Sequence, residues 1–188
     1  MSVDVITPPA DIDLLAEAKA QMRVEHDEED IYISRLVRAA LQWIDGPDGY
    51  LGRCVRVQTL EASFDRFGRE PLIWLPYPPF VELVSVKYDD VDGEEVTLDL
   101  AKVGLKRQRG VFIRGGACWP RARSATDAVR VRYTAGYPDG IPEPILKAVL
   151  QLVAHWYAVR EPVTDKRMAE VPLTFEDLLA PYMVPTII

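Results

Sequence analysis

The 188-residue sequence predicts an α+β chain. An N-terminal helical pair and a long C-terminal helix pack as a helical body, with a mostly antiparallel β insertion between them and an extended C-terminal tail. Three observations carry this prediction. Apolar residues recur at helical spacing in two stretches, 14–45 and 144–160, near the two ends of the chain. They alternate at period two in several short runs between residues 55 and 134. Gly136, Pro138, Gly140, Pro142 and Pro144 then separate the last alternating run from the last helical one and forbid a regular element between them. The implied boundaries are 1–50 for an arm and helical pair, 51–135 for the β-rich insertion, 136–161 for the long helix and 162–188 for a linker and C-terminal docking segment.

Pro8 and Pro9 mark the first residues as an arm. Asp11 or Asp13 stands where a carboxylate caps a short helix, with Leu14, Leu15, Ala18 and Met22 inward. A second helix is expected at once. Asp27, Glu28, Glu29 and Asp30 fall in its first turn, where the helix dipole favours carboxylates, and Ile33, Leu36, Val37, Ala40, Leu41 and Ile44 form its apolar stripe. Gly46, Pro47, Asp48 and Gly49 end it.

From Val55 the reading changes to strands. Val55 and Val57 alternate with Arg56 and Gln58, and Leu60, Ala62 and Phe64 resume the alternation after a slip of register that implies a bulge. Pro76, Pro78 and Pro79 interrupt before a strand over 81–88, and Asp89, Asp90, Asp92 and Gly93 make a hairpin turn into 95–98. Further strands are expected at 103–106, 111–113 and 129–134. Pro142 or Pro144 opens the last long helix, whose stripe is Ile145, Val149, Leu152, Val153, Trp156 and Tyr157. Residues 161–172 read as a polar linker. Thr174 is placed to cap a short helix carrying Phe175, Leu178 and Leu179, after which Tyr182, Met183, Val184, Ile187 and Ile188 leave an apolar tail.

Composition excludes several classes. A hydrophobic content of 48% is that of an ordinary globular chain, and no apolar run approaches the roughly 20 residues a membrane span needs. The N-terminus lacks the basic-then-apolar order of a signal peptide, so a cytoplasmic location where the protein is made is expected. Cys54 and Cys118 have no neighbour at metal-ligand spacing and read as small buried hydrophobes. With only His26 and His155 available, no metal or cofactor is expected. A net charge of −7 opposes simple nucleic-acid binding, which relies on Lys and Arg displacing counterions, yet it suits a wall past which DNA must slide.

The chemistry-bearing clusters each have a plainer reading. The run from Glu25 through Asp30 lacks the central glycine and the spacing of a calcium loop, and it precedes an apolar helical stripe. Glu61 and Asp65 share a strand face without a pocket, and His155 has no nucleophile beside it, so no enzyme activity is expected. Lys102, Lys106, Arg107, Arg109, Arg114, Arg121, Arg123, Arg130 and Arg132 concentrate positive charge in the middle of an acidic chain, with few aromatic residues among them in sequence. This patch is a solvated or intersubunit face, or a contact for DNA.

Several segments carry a resemblance. TAGYPDGIPEPILKAVLQLVAHWY at 134–157 closely resembles a stretch near the end of tailed-phage head-tail connector (adaptor) proteins, a family also labelled DNA-packaging proteins. Residues 14–45 look like the family's opening helices, including the acidic run after Arg23, while 76–87, Trp119-Pro120 and 172–182 look like its middle and closing segments. The β insertion departs from the shorter, nearly all-helical members.

The resemblance implies a non-enzymatic component of the virion neck of a tailed phage, prophage or gene-transfer particle. It implies a dodecameric ring under the portal protein, DNA passing through the lumen, and a surface for the next neck or tail-completion protein. On that reading Phe175, Leu178, Leu179, Tyr182, Val184 and Ile188 are expected to dock on the portal or a neighbour, and deletion after Pro172 is expected to leave a folded subunit. Arg107, Arg109, Arg130 and Arg132 are expected to meet DNA or a neighbouring subunit. The alternative is a packaging or head-completion factor that grips DNA through those arginines.

Overall fold

Val129, Val131, Tyr133 and Ala135 are buried on one side of a seven-residue strand while the residues between them are half-exposed. This strand is the centre of the larger of two antiparallel sheets. The structure, a computed structural model, describes residues 1–159 and 173–184. It divides into two compact units, a β unit of Met1–Ala10 and Arg53–Asp139 and a helical unit of Asp11–Gly52 and Gly140–Ile188. The expected linker, Ile187 and Ile188 lie outside the described residues.

In the β unit the strands are β1 (Ser2–Thr7), β2 (Gln58–Phe64), β3 (Leu72–Trp74), β4 (Phe80–Asp89), β5 (Glu95–Thr97), β6 (Val103–Lys106), β7 (Gly110–Ile113) and β8 (Val129–Ala135). The five-stranded sheet has the order β1-β2-β8-β4-β5, and a three-stranded sheet has the order β3-β7-β6. Their inward faces share a core that includes Leu60, Ala62, Ile73, Phe80, Val86, Val103, Val111, Val131 and Tyr133. Tyr133 is buried, and its phenol donates to the Pro76 carbonyl at 2.8 Å.

Four features of this unit differ from the sequence reading. The arm is strand β1, paired to β2 from Ser2↔Ser63 onward, so residues 1–10 belong with the sheet. Strand β3, hidden among prolines, pairs with β7 through Leu72↔Phe112 and Trp74↔Gly110. β2 pairs with β8 in unbroken register from Gln58↔Ala135 to Phe64↔Val129, so the slip near Val57 marks where the strand starts and no bulge lies there. The register shifts fall instead within β4, between Phe80/Glu82 and Leu83/Ser85, and between Val5/Thr7 of β1. Finally, Cys54 is buried but Cys118 is exposed in the loop after Gly115 and Gly116, because a small apolar side chain is buried only where an element carries it to the core.

The expected hairpin turn forms. Asp90 Oδ1 accepts the amides of Asp92 and Glu94, and Gly93 takes the left-handed conformation (φ 91°). Gly136 shows why the chain turns where it does, since its φ of 127° and the Arg56 carbonyl, 2.5 Å from where a Cβ would sit, exclude any larger residue.

The helical unit holds α1 (Leu15–Met22), α2 (Asp30–Ile44), α3 (Glu143–Ala158) and α4 (Leu173–Leu179). Asp13 Oδ1 accepts the Leu15 amide at 3.0 Å, and Pro144 sits in the first turn of α3. The core comes from the predicted stripes: Leu14 and Ala18, then Ile33, Val37, Ala40, Leu41 and Ile44, then Ile145, Val149, Leu152 and Val153. Helix α2 starts at Asp30, so Asp27, Glu28 and Glu29 form the turn that precedes it rather than its first turn. That turn is held from outside: Lys19 of α1 reaches Asp27 at 2.6 Å and Asp30 at 2.7 Å. Thr174 lies within α4 rather than ahead of it.

Candidate functional site

The expected docking residues divide by burial. Phe175 and Leu179 are buried in the helical unit itself, at 1% and 0% exposure. Phe175 lies against the stacked pair Trp43 and Tyr50, with ring centroids 5.5 Å and 6.2 Å away. These two side chains therefore complete the unit's own core and present no surface to a partner. Deletion after Pro172 removes both side chains from that core, so the truncated subunit is expected to lose stability rather than remain intact. Leu178, Tyr182 and Val184 are half-exposed, and the Val184 amide donates to the Leu51 carbonyl at 3.0 Å. Ile188 lies outside the described residues. Around Phe175 the surface carries Trp43 and Tyr50, stacked at 4.7 Å and each over a third exposed.

The four candidate arginines also separate. Arg130 of β8 pairs with Asp89 at 2.6 Å and Glu95 at 3.0 Å, and the Asp89 carboxylate raises its pKa further. Glu95 is held below the usual carboxylate range, first by Lys87 at 2.7 Å and then by Arg130. Arg132 pairs with Glu61 across the β2–β8 ladder at 2.8 Å. Glu61 is thus neutralised by an arginine, and Asp65 instead accepts the Asp127 amide, so the two carboxylates do not form an acid–base pair.

Arg107 and Arg109 behave differently. They sit in the exposed β6–β7 turn with Lys106 and Gln108, and among the described residues none of these three cations pairs with a carboxylate. The turn is rigidly tied. The Arg109 amide donates to the Lys106 carbonyl at 3.0 Å, while the carbonyls of Arg107 and Arg109 accept the Phe80 and Leu75 amides at 2.8 Å and 3.1 Å. Arg107 lines a cavity of about 280 Å³ with Phe80, Val81, Leu105 and Pro138.

Sequence reasoning missed the aromatic residues beside this turn. Directly opposed residues of neighbouring strands share a sheet face. The pairs Trp74↔Gly110↔Lys106 and Leu72↔Phe112↔Gly104 therefore place Trp74, Phe112 and Lys106 on the outer face of the small sheet, while Ile73, Val111, Val103 and Ile113 are buried on the inner face. Gly104 leaves the space that the Phe112 ring occupies, since a Cβ there would collide with the ring. Arg109 lies 5.8 Å over the Trp74 ring and Lys106 5.3 Å over the Phe112 ring. The only sequence signal was the tryptophan in Leu72-Ile73-Trp74, and pairing with β7 is what brings it to the cations.

Charge is split between the units. The β unit carries 14 Lys and Arg against 13 Asp and Glu, a net of +1, and the helical unit 8 against 16, a net of −8, together the −7 of the chain. His155 is half-buried in α3, and Tyr157 donates from its hydroxyl to Glu29. Among the described residues no group of three His, Cys, Asp or Glu side chains is arranged to hold a metal ion, and no helix is long and apolar enough to cross a membrane.

No protein-family model and no curated protein matches the chain. Solved structures match at the level of fold. A chain in the virion of a native gene transfer agent particle superposes with a TM-score of 0.77 at 19% identity, covering 100% of this chain and 98% of the other. A chain in the neck of an empty gene transfer agent particle, computed with C6 symmetry, gives the same TM-score, identity and coverage. A third, in the neck of a native particle computed with C12 symmetry, gives 0.69 at 19% identity over the same spans. At this identity the likeness is one of fold, and it extends over the whole chain.

Proposed function

We propose that the chain is a structural head-tail connector of a tailed phage, prophage or gene-transfer particle, located in the virion neck. Twelve copies form a ring under the portal protein, extend the channel for DNA and meet the next neck or tail-completion protein. The observation that carries this reading is the full-length fold likeness to chains in gene transfer agent virions and necks. The C12 symmetry of one such neck fits a twelve-membered ring.

Charge segregation supports the same reading. A helical unit of net −8 and a β unit of net +1 suit a head-to-tail contact, the kind that closes identical subunits into rings. No bond is made or broken in this role. Leu178, Tyr182 and Val184, with the exposed Trp43 and Tyr50, are the docking surface on this reading, and Phe175 and Leu179 support it from beneath.

Light scattering and negative-stain imaging of the protein, alone and mixed with its portal, test the proposal. Rings in either sample are expected. A strict monomer that ignores the portal would overturn it.

A further inference from the structure

We propose that the outer face of the small sheet binds unpaired DNA, with bases stacking on Trp74 and Phe112 and phosphates held by Lys106 and Arg109. The proposal deepens the connector reading and rests on it for the source of the DNA.

The face has the two components that a single-strand surface needs. Trp74 is 55% exposed, far more than a tryptophan kept for packing, and the half-exposed Phe112 ring occupies the space beside Gly104 because that position has no side chain. Every base has a π-face, so stacking on such rings holds a strand without reading its sequence. The second component is local charge. Lys106 and Arg109 have no carboxylate partner among the described residues, so they remain available to phosphate oxygens. Arg109 stands 5.8 Å from the Trp74 centroid, close to the limit of about 6 Å for cation–ring attraction, so a base displaces it at little loss.

Two further points favour DNA as the occupant. The chain's acidity resides in the helical unit, and the β unit that carries this face has a net charge of +1. The overall −7 therefore does not describe the local field. The turn is also pre-organised by its backbone hydrogen bonds to Leu75 and Phe80, so binding orders little new structure. Arg130 and Arg132 take no part, since carboxylates neutralise both. Stacking needs unpaired bases, so a strand end or locally opened duplex is bound in preference to intact duplex.

The test is fluorescence anisotropy of a labelled oligothymidylate and of a duplex of equal length, titrated with the full-length protein at low and raised salt. Oligothymidylate should bind more tightly than duplex. Trp74→Ala should weaken oligothymidylate binding by about 5- to 150-fold, the range for losing one base–aromatic stack, and Trp74→Tyr should retain most of it. Lys106→Ala with Arg109→Ala should lower the slope of log affinity against log salt by about 1.4, at about 0.7 per phosphate contact.

Failure to bind oligothymidylate at low salt overturns the proposal, as does equal binding by Trp74→Ala. So does a Trp74→Ala protein that loses self-association by light scattering but binds oligothymidylate normally, because the face would then be a contact between copies. Ring formation with the portal, measured on the same variants, reports the connector reading separately. Rings without oligothymidylate binding would overturn this inference alone.

Discussion

The helical unit and the β unit hold themselves together in different ways and carry different charge. In the helical unit the buried residues are the stripes that recur every three or four positions, closed by Phe175 and Leu179 from a segment more than a hundred residues beyond α2. In the β unit burial alternates along β8 and β2, and the pairing partners come from as far apart as β1 and the middle of the chain. The helical unit carries nearly all of the excess acid, whereas ion pairs in the β unit neutralise Arg130 and Arg132 and leave the β6–β7 turn uncompensated. A chain average of charge thus conceals two surfaces suited to different contacts.

The largest expected effect tests whether the two units are independent. Phe175→Ala removes a ring that is 1% exposed and should destabilise the helical unit by about 3–5 kcal/mol. Hydrogen exchange in denaturant should then show lost protection in α2 and α3 with the β2 and β8 amides unchanged. Equal loss in both would mean that the units unfold as one.

A smaller effect belongs to the β unit alone. Burial raises the pKa of the Tyr133 phenol, so its folded-state value exceeds its unfolded one. Its contribution is therefore complete below about pH 10, the unfolded value, and is lost as pH rises through the folded value. Tyr133→Phe removes the bond to Pro76 and should cost about 1 kcal/mol at neutral pH. An alkaline melting series should fall for the native protein and flatten for the variant.

The smallest effect lies at the acid end. Lys19 holds Asp27 below the ordinary carboxylate range, so the stabilisation is present above about pH 3.9 and is lost as pH falls through the lowered value. The Asp27 side of the pair is exposed and salt weakens it. Asp27→Asn should reduce the acid dependence of melting in low salt only, and an unchanged profile would show that the acidic turn is held by its backbone instead.

Much of the helical unit was legible because a helix is a local object. The i, i+3 and i+4 spacing of Ile33, Val37, Ala40 and Ile44 states both the element and its buried face, while Pro142 punctuates the chain through its fixed φ and Gly46 and Gly136 through the positive φ they adopt. The acidic turn was misplaced by one short segment because carboxylates stabilise either side of a helix start; Lys19 pairs with one on each side, Asp27 before the helix and Asp30 at its first residue.

Strand pairing is not local. Nothing in Ser2–Thr7 states that β2 is its partner, and the three residues of β3 show too few alternations to stand out among prolines. The candidate residues follow the same rule. Composition by itself determined that the chain is acidic, and residue order determined a basic middle and an α+β chain with helices towards both ends. Only the tertiary structure decided that Arg130 and Arg132 are paired with carboxylates, that Phe175 and Leu179 face inward, and that Trp74 and Phe112 share a face with Lys106 and Arg109. Periodicity reports the face a residue occupies, but its neighbours on that face are set by register between distant strands, which carry no signal in their own order.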